Sequence, residues 1–112
     1  MEIDVCVEEL KKAILASPEY AEYRRLTAEI DKRPEVRRAI DSLRRENFAM
    51  QNSEGDIDPN TLEDYRNRFI EIRQEDYVDQ SLLAEVTLCR MIRDINRRLV
   101  EGLEFDTSFL EN

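Results

Sequence analysis

The chain has 112 residues, of which 38% are charged and 41% hydrophobic, and its formal net charge is −9. A chain of this length forms one domain whose core can be stable without disulfides or metal. It contains no histidine, which excludes imidazole-based catalytic triads and histidine metal sites. The acidic balance argues against direct nucleic-acid binding, because that affinity depends on Lys and Arg side chains that neutralise phosphates.

The composition also bears on compartment and cofactors. The first residues, MEIDVCVEEL, lack the basic and apolar regions of a secretory leader, and no apolar run approaches the roughly 20 residues of a membrane span. The two cysteines, Cys6 and Cys89, form no CxxC motif. The sequence therefore predicts a cytoplasmic protein with reduced thiols and no membrane insertion. No phosphate-binding loop motif occurs, and we predict no cofactor.

Apolar residues recur three and four positions apart along the first half of the chain, which predicts helices. The first helix covers about residues 3–16. Ser17 caps the second helix and Pro18 begins it, whereas Pro34 disfavours helical geometry at Arg33 and begins the third helix, which lasts to about Gln51. The expected inner residues are Ile3, Val7, Leu10, Ile14, Tyr20, Tyr23, Leu26, Ile30, Val36, Ile40, Leu43, Asn47 and Met50, with Phe48 flanking the last stripe.

The second half begins with a loop over residues 52–58, where Gly55 supplies a positive φ. Asp58-Pro59 caps a fourth helix, which we expect to form an antiparallel hairpin with the third. The apolar stripe is interrupted around residues 75–80, and a fifth helix of about 23 residues, or about 35 Å, follows. The expected inner residues are Leu62, Tyr65, Phe69 and Ile72 on the fourth helix and Leu82, Val86, Cys89, Ile92, Ile95, Leu99 and Leu103 on the fifth.

These elements predict an all-α fold. We expect a five-helix bundle-like domain over residues 1–103, with a long antiparallel helical hairpin and a long C-terminal helix, followed by a short acidic tail at residues 104–112. The fifth helix is as long as a domain of this size is wide, so we expect a second copy of the chain to cover part of it. The candidate self-association residues on this helix, which predict a homodimer or larger oligomer, are Leu83, Leu88, Met91 and Val100.

Arginine is far more frequent than lysine, and two stretches, residues 33–45 and 90–98, are locally basic. Most of these arginines have acidic residues three or four positions away, so solubility of exposed helices is the simpler interpretation. The alternative is a docking face for an acidic protein partner or RNA. The candidate partner-binding residues are then Arg37, Arg38, Arg44, Arg45, Arg93 and Arg97.

Two further features have a simple and a functional interpretation. Glu101 and Glu104 form an ExxE pair of the kind that binds metal in all-helical nucleotide hydrolases, but no second pair follows, and a solvated acidic terminus explains them. A purely structural helical oligomer is a further alternative to a regulatory protein.

Cys89 is expected to be buried as a small hydrophobe, and Cys6 to be half exposed. Either thiol would ligate a shared cluster only if another chain supplied the remaining ligands.

The segments ILASPEYAEYRRL and MIRDINRRLVEGL, with the Pro-started third helix and the glycine-bearing loop between them, resemble the YlbF/YmcA family of small bacterial regulators. The resemblance extends from about Val5 to Leu103. Its most specific pieces are Ser17 with Glu19-Tyr20 and the segment Asp94-Ile95-Asn96.

The resemblance implies a non-enzymatic, all-helical protein that self-associates and acts through partners. Members of the family regulate competence, sporulation and biofilm formation, and some form a complex with related members that influences ribonuclease Y and messenger RNA maturation. Some also hold iron–sulphur clusters through cysteines, one of them in the C-terminal region. This chain has no cysteine after Cys89, so no cluster ligand is carried over.

Overall fold

The computed structural model describes residues 2–103, and within this range it contains five α-helices and no strand. The helices are α1 (Ile3–Leu15), α2 (Pro18–Asp31), α3 (Pro34–Gln51), α4 (Pro59–Ile72) and α5 (Val78–Val100). About 80% of the structure is helical, and the helix packing is compatible with a bundle. The predicted all-α class is therefore confirmed.

Prolines begin three of the five helices, as the sequence predicts. The Ser17 hydroxyl accepts a hydrogen bond from the Tyr20 amide at 3.2 Å, and Pro18 is the first residue of α2. The Asp58 carboxylate accepts from the Asn60 amide at 2.9 Å at the start of α4. These side chains satisfy amides that have no partner within the helix, because the first turn lacks preceding carbonyls.

Helix α2 is central to the packing, since it contacts α1, α3 and α5, while α4 packs against α3. The predicted inner faces of α2 and α3 are confirmed by the burial of their main apolar residues. At one end of the molecule, Arg33 joins the α2–α3 junction to the α4–α5 junction by an ion pair with Glu75 at 3.1 Å and a hydrogen bond to the Asp76 carbonyl. The buried hydrophobic residues are Leu26, Ile30, Val36, Ile40, Leu43, Val78 and Ala84.

The start of α5 differs from the prediction. The sequence pattern places an interruption at residues 75–80, yet the helix already begins at Val78, which is completely buried against Ile30, Val36 and Ile40. The chain turns at Tyr77, whose φ of 71° lies in the left-handed region. The interruption is therefore a sharp turn of few residues, and the buried stripe of α5 extends one turn further towards the N-terminus than expected.

The predicted inner face of α1 is largely uncovered. Ile3 is 80% exposed and Val7 is also exposed, whereas Leu10 and Ile14 are half-buried. Helix α1 makes its main contact with α2, to which it is joined at Ser17, and it buries no residue fully. The expectation that Ile3 and Val7 are inner residues is therefore wrong for residues 2–103, in which no helix covers the first turns of α1. Asn47, also expected on an inner face, is exposed.

The molecule is open and flattened. Its principal extents are 54 × 38 × 16 Å, and its radius of gyration is 18.1 Å, compared with about 13 Å for a compact domain of this length. The accessible surface is 9,101 Å², whereas a compact monomer of this mass exposes about 6,500 Å². The helices thus leave much more surface accessible than a closed bundle would.

Helix α5 extends past the end of α2. Val78, at the start of α5, packs against Ile30, near the end of α2, so α5 runs back along α2 towards Pro18. Because α2 has 14 residues and α5 has 23, α5 continues for about 14 Å beyond α2 at 1.5 Å per residue. The last turns of α5 and the start of α2, where α1 is attached, therefore lie at the same end of the molecule.

Candidate protein-binding surfaces

The outward side of α3 carries the four arginines that the sequence pattern indicates on this helix. Arg37 and Arg44 are seven residues apart, as are Arg38 and Arg45, so each pair shares one face of the helix. The buried residues of α3 occupy its other side. The packing of α3 therefore positions all four arginines away from the core.

Of these four arginines, Arg37 and Arg44 form ion pairs with other described residues. Arg37 contacts Asp31 at 3.6 Å and Asp41 at 3.2 Å, and Arg44 pairs with Glu85 on α5. Arg38 and Arg45 are exposed and have no carboxylate partner among residues 2–103. The structure therefore leaves two cationic groups on α3 that are available to a partner.

An exposed aromatic ring lies on the same side of α3 as these two arginines, one turn beyond Arg45. Phe48 is 69% exposed and follows Arg45 by three residues, which places both side chains on the same side of α3. The sequence pattern indicated Phe48 only as a residue that flanks the inner stripe, although its spacing from Arg45 could have shown this pairing. Arginine and aromatic residues are the types that contribute most to protein interfaces. We refer to Arg38, Arg45 and Phe48 as the α3 docking face.

The other two candidate arginines lie on α5. Arg93 is exposed and has no ion pair within the described region, whereas Arg97 pairs with Asp94. The hydrogen bond from Arg97 to the Asp94 carboxylate raises the pKa of the guanidinium above its ordinary value. These arginines belong to a different helix from the α3 docking face.

The four candidate self-association residues differ in exposure. Leu83 is 66% exposed, while Leu88, Met91 and Val100 are half-buried. Among these four residues, Leu83 is therefore the most accessible to a partner. The other three are partly covered by their own chain.

The stripe of α5 that we expected to be buried is divided. Ile95 is half-buried, but Ile92, Leu99 and Leu103 are exposed. The half-buried row formed by Leu88 and Ile95 continues to the exposed Leu99, and α5 ends at Val100, so Leu103, which we expected on this helix, lies beyond it. The single chain therefore buries only the first part of this stripe. Val86, also expected on it, is exposed.

The two cysteines are both exposed. The expectation that Cys89 is buried is wrong for the single chain, because the middle of α5 is covered on the side of Ala84 and Leu88, and Cys89 is turned away from that side. Cys6 lies on α1, which has no fully buried residue.

The α3–α4 contact is held by charge. Arg68 on α4 donates two hydrogen bonds to the Glu46 carboxylate on α3, and one to Asp64 at 2.9 Å. The bonds from Arg68 hold the pKa of Glu46 below its ordinary value of 4.5. A cleft of about 250 Å³ lies beside this contact and is lined by Ala39, Ser42, Leu43, Arg68, Glu71, Ile72 and Glu75.

Neither a metal centre nor a membrane span is found in the described part of the chain. No three Asp, Glu or Cys side chains converge there in a way that would hold a metal ion. Glu101 is exposed, while Glu104, the second member of the candidate metal pair, lies with the acidic tail outside the described residues. None of the five described helices combines the length and apolar character needed to cross a bilayer.

The described chain is thus a small all-α protein whose candidate binding residues, the arginines and the apolar side chains described above, are exposed or half-buried. A family model described as "Control of competence regulator ComK, YlbF/YmcA" matches residues 5–104. The match covers most of the chain, and the protein belongs to the YlbF/YmcA family of competence regulators. No curated protein and no solved structure matches the chain.

Proposed function

We propose that this protein is a non-enzymatic, cytoplasmic adaptor that regulates by recruiting another protein to the α3 docking face and that also associates with itself. The observation that carries this proposal is the set of Arg38, Arg45 and Phe48, which are exposed together on one side of α3. The regulatory family supports it. The described residues bring together no three acidic or cysteine side chains that would hold a metal ion, and we propose that the protein regulates through what it binds.

The charge of the α3 docking face indicates the chemistry of the partner. The chain as a whole carries a net charge of −9, so it repels acidic proteins except where arginines are locally uncompensated. Arg38 and Arg45 provide such a place, because neither forms an ion pair within residues 2–103, and Asp41, which lies between them on α3, is engaged by Arg37 at 3.2 Å. The face therefore favours a partner that offers carboxylates to Arg38 and Arg45 and, beyond Arg45, an apolar contact to Phe48.

The family resemblance supplies the first partners to test. The resemblance implies regulation of competence, sporulation and biofilm formation, and a complex of related family members that influences ribonuclease Y and messenger RNA maturation. We propose that this chain acts in the same way, by positioning a ribonuclease rather than by cleaving RNA itself.

The test is binding of the purified protein to purified ribonuclease Y and to related family members, measured by calorimetry. Reversal of both uncompensated charges, Arg38→Glu with Arg45→Glu, is expected to weaken binding at least tenfold, and Phe48→Ala to weaken it independently. The matched control is Arg24→Glu with Arg66→Glu, which makes the same charge change at two exposed arginines on α2 and α4.

The control should bind like the wild type. Circular dichroism establishes that every variant keeps its helical content, which is expected because all substituted side chains are exposed or outward-facing. Equal binding by the α3 variant and the control would assign the interaction to another surface. Failure of the wild-type protein to bind any of these partners would contradict the adaptor function.

A further inference from the structure

The cleft of about 250 Å³ between α3 and α4 has no role in the proposed function so far. A cleft remains there because the α3 side chains of Ala39 and Ser42, which line it, are too small to fill the space opposite α4. Its apolar lining comes from Ala39, from the buried Leu43 and from the half-buried Ile72. The α3–α4 cleft therefore offers an apolar surface to a bound group.

Two sets of ion pairs lie at the cleft, and each includes one residue that lines it. Arg68 contacts both Glu46 and Asp64, and Glu75 contacts Arg33 at 3.1 Å. Two carboxylates thus share the guanidinium of Arg68, and the carboxylate of Glu75 has a guanidinium of its own. Neither arginine has charge left to balance a third carboxylate at the cleft.

Glu71 is that third carboxylate. It lines the cleft, it is exposed, and it forms no ion pair with another residue of the range 2–103. Its neighbours on α4 lie three and four positions away, and they are Asn67, Arg68, Gln74 and Glu75. Arg68 is the one cation among them, and it is already engaged. The cleft therefore combines its apolar surface with a negative charge that the described residues leave uncompensated.

This combination fits the side chain of an arginine or a lysine, whose carbon stem packs on apolar atoms while its charged head stays near solvent. The volume of about 250 Å³ is below the roughly 300–1,000 Å³ of small-molecule and cofactor sites. The apolar lining does not supply the several oxygen ligands that a divalent cation requires. The carboxylate of Glu71 repels the phosphates of a nucleic acid.

One wall of the cleft adjoins the α3 docking face. Ser42, which lines the cleft, follows Arg38 by four residues and precedes Arg45 by three. The three side chains are therefore neighbours on one side of α3. A protein that contacts Arg38 and Arg45 lies next to Ser42 and hence next to the cleft, which favours a side chain of that protein over a free molecule as the occupant.

We infer that the α3–α4 cleft binds a basic side chain, arginine or lysine, of the partner protein that contacts the α3 docking face. The carbon stem packs on Ala39, Leu43 and Ile72, and the cationic head contacts the Glu71 carboxylate. The partner then presents carboxylates and a basic residue on one surface, so recognition depends on this arrangement of opposite charges and not on acidity alone. The inference rests on the proposed function and adds to it a contact of opposite sign.

The chain alone provides the first test, an NMR titration with N-acetylarginine methylamide as the probe. Binding should move the backbone amide signals of Ala39, Ser42 and Ile72, with half-saturation in the millimolar range because so small a probe makes few contacts. The citrulline analogue of the probe has nearly the same shape and no charge. It should bind about threefold more weakly, which corresponds to the usual contribution of an exposed ion pair.

Two variants locate the probe. Glu71→Gln should weaken its binding about threefold, and Ala39→Leu, which fills the cleft, should abolish it. Glu63→Gln and Ala28→Leu make the same changes at exposed residues that do not line the cleft, and they should leave binding unchanged. If Ala39→Leu does not fold, the Glu71 variant decides. Equal binding of the two probes, or binding that Glu71→Gln leaves unchanged, would overturn the inference.

The second test uses the partner and depends on the sign of the effect. Glu71→Lys removes a negative charge close to the α3 docking face, so a uniformly acidic partner should bind this variant more tightly. We expect the opposite. Calorimetry with ribonuclease Y should show binding about tenfold weaker, because the introduced ammonium repels the basic head of the partner. Glu63→Lys should bind like the wild type, and equal or tighter binding by Glu71→Lys contradicts the inference.

The two tests separate this inference from the adaptor function. If the wild type binds neither ribonuclease Y nor a related family member, the adaptor function fails, and the probe titration still decides whether the cleft binds a basic side chain. If the wild type binds through Arg38 and Arg45 while Glu71→Lys binds equally well, the inference alone fails. Tighter binding of putrescine than of the arginine probe, lost in Glu71→Gln, would assign the cleft to a free polyamine and overturn the inference.

Discussion

The guanidinium of Arg68 on α4 holds the carboxylate of Glu46 on α3 by two hydrogen bonds, at 2.5 and 2.6 Å. Such a two-point contact fixes the relative position of the helices as well as their charges. The two residues are 22 positions apart in the chain, so this pair defines the register of the α3–α4 hairpin across the loop. The first prediction concerns its response to pH.

Glu46→Gln should reduce the sensitivity of the protein to acid. The folded-state pKa of Glu46 is lowered below 4.5, so its ion pair stabilises the fold above that pH, and this contribution is lost as the pH falls through the folded pKa. The melting temperature of the wild type should therefore fall more steeply than that of the variant when the pH is lowered from about 6 towards about 3 in steps of about one pH unit. Glu63→Gln, at an exposed carboxylate without an ion pair among residues 2–103, should follow the wild type.

Ser17→Ala should lower the free energy of unfolding by about 1 kcal/mol, measured by urea denaturation. The hydroxyl accepts from the Tyr20 amide and donates to the Ile14 carbonyl at 2.6 Å, so its removal affects both the start of α2 and the end of α1. Thr87→Ala is the control, because the Thr87 hydroxyl bonds only a carbonyl within its own exposed turn of α5. An equal effect of the two substitutions would show that the Ser17 cap contributes nothing specific.

Tyr77→Asn should be more stable than Tyr77→Val. Both substitutions remove the same ring, but φ at this position is 71°, which asparagine tolerates and a β-branched residue does not. Thermal melting of the two variants under identical conditions measures the difference. Equal melting temperatures would show that the turn before α5 changes its conformation to suit the side chain.

Leu26→Ala should lower the free energy of unfolding by about 2–5 kcal/mol, because it leaves a cavity at a side chain that is 1% exposed in the centre of α2. Leu15→Ala, at an exposed position at the end of α1, removes the same atoms and should cost much less. Urea denaturation measures both. Similar losses in the free energy of unfolding would show that another surface covers Leu15 in solution.

Much of the fold follows from local sequence signals. Pro18, Pro34 and Pro59 determine where three helices begin, because proline fits the first turn and restricts the residue before it. Periodicity correctly indicated the buried residues of α2 and α3. It missed Val78, since a single apolar residue just after a turn has no periodic neighbour on its N-terminal side.

The candidate surfaces were less predictable, because exposure depends on which helices meet. The spacing of Leu99 from Ile95 is the same as that of a buried stripe, and only the length of α2 relative to α5 shows that Leu99 is uncovered. Likewise, Arg38 and Arg44 are equivalent in the sequence pattern, but Glu85 approaches Arg44 from another helix. Long-range contacts of this kind have no local signature.

The incomplete cover of α1 and of Leu99 on α5 would link the stability of this protein to its abundance if a second copy covers these side chains. Such a copy would bind the folded chain and not the unfolded one, so mass action would raise the free energy of unfolding as the concentration rises. At low concentration, a larger fraction of chains would then be open to degradation. The amount that a cell retains would rise more steeply than the amount it synthesises, and the regulator would scarcely accumulate below a threshold of expression.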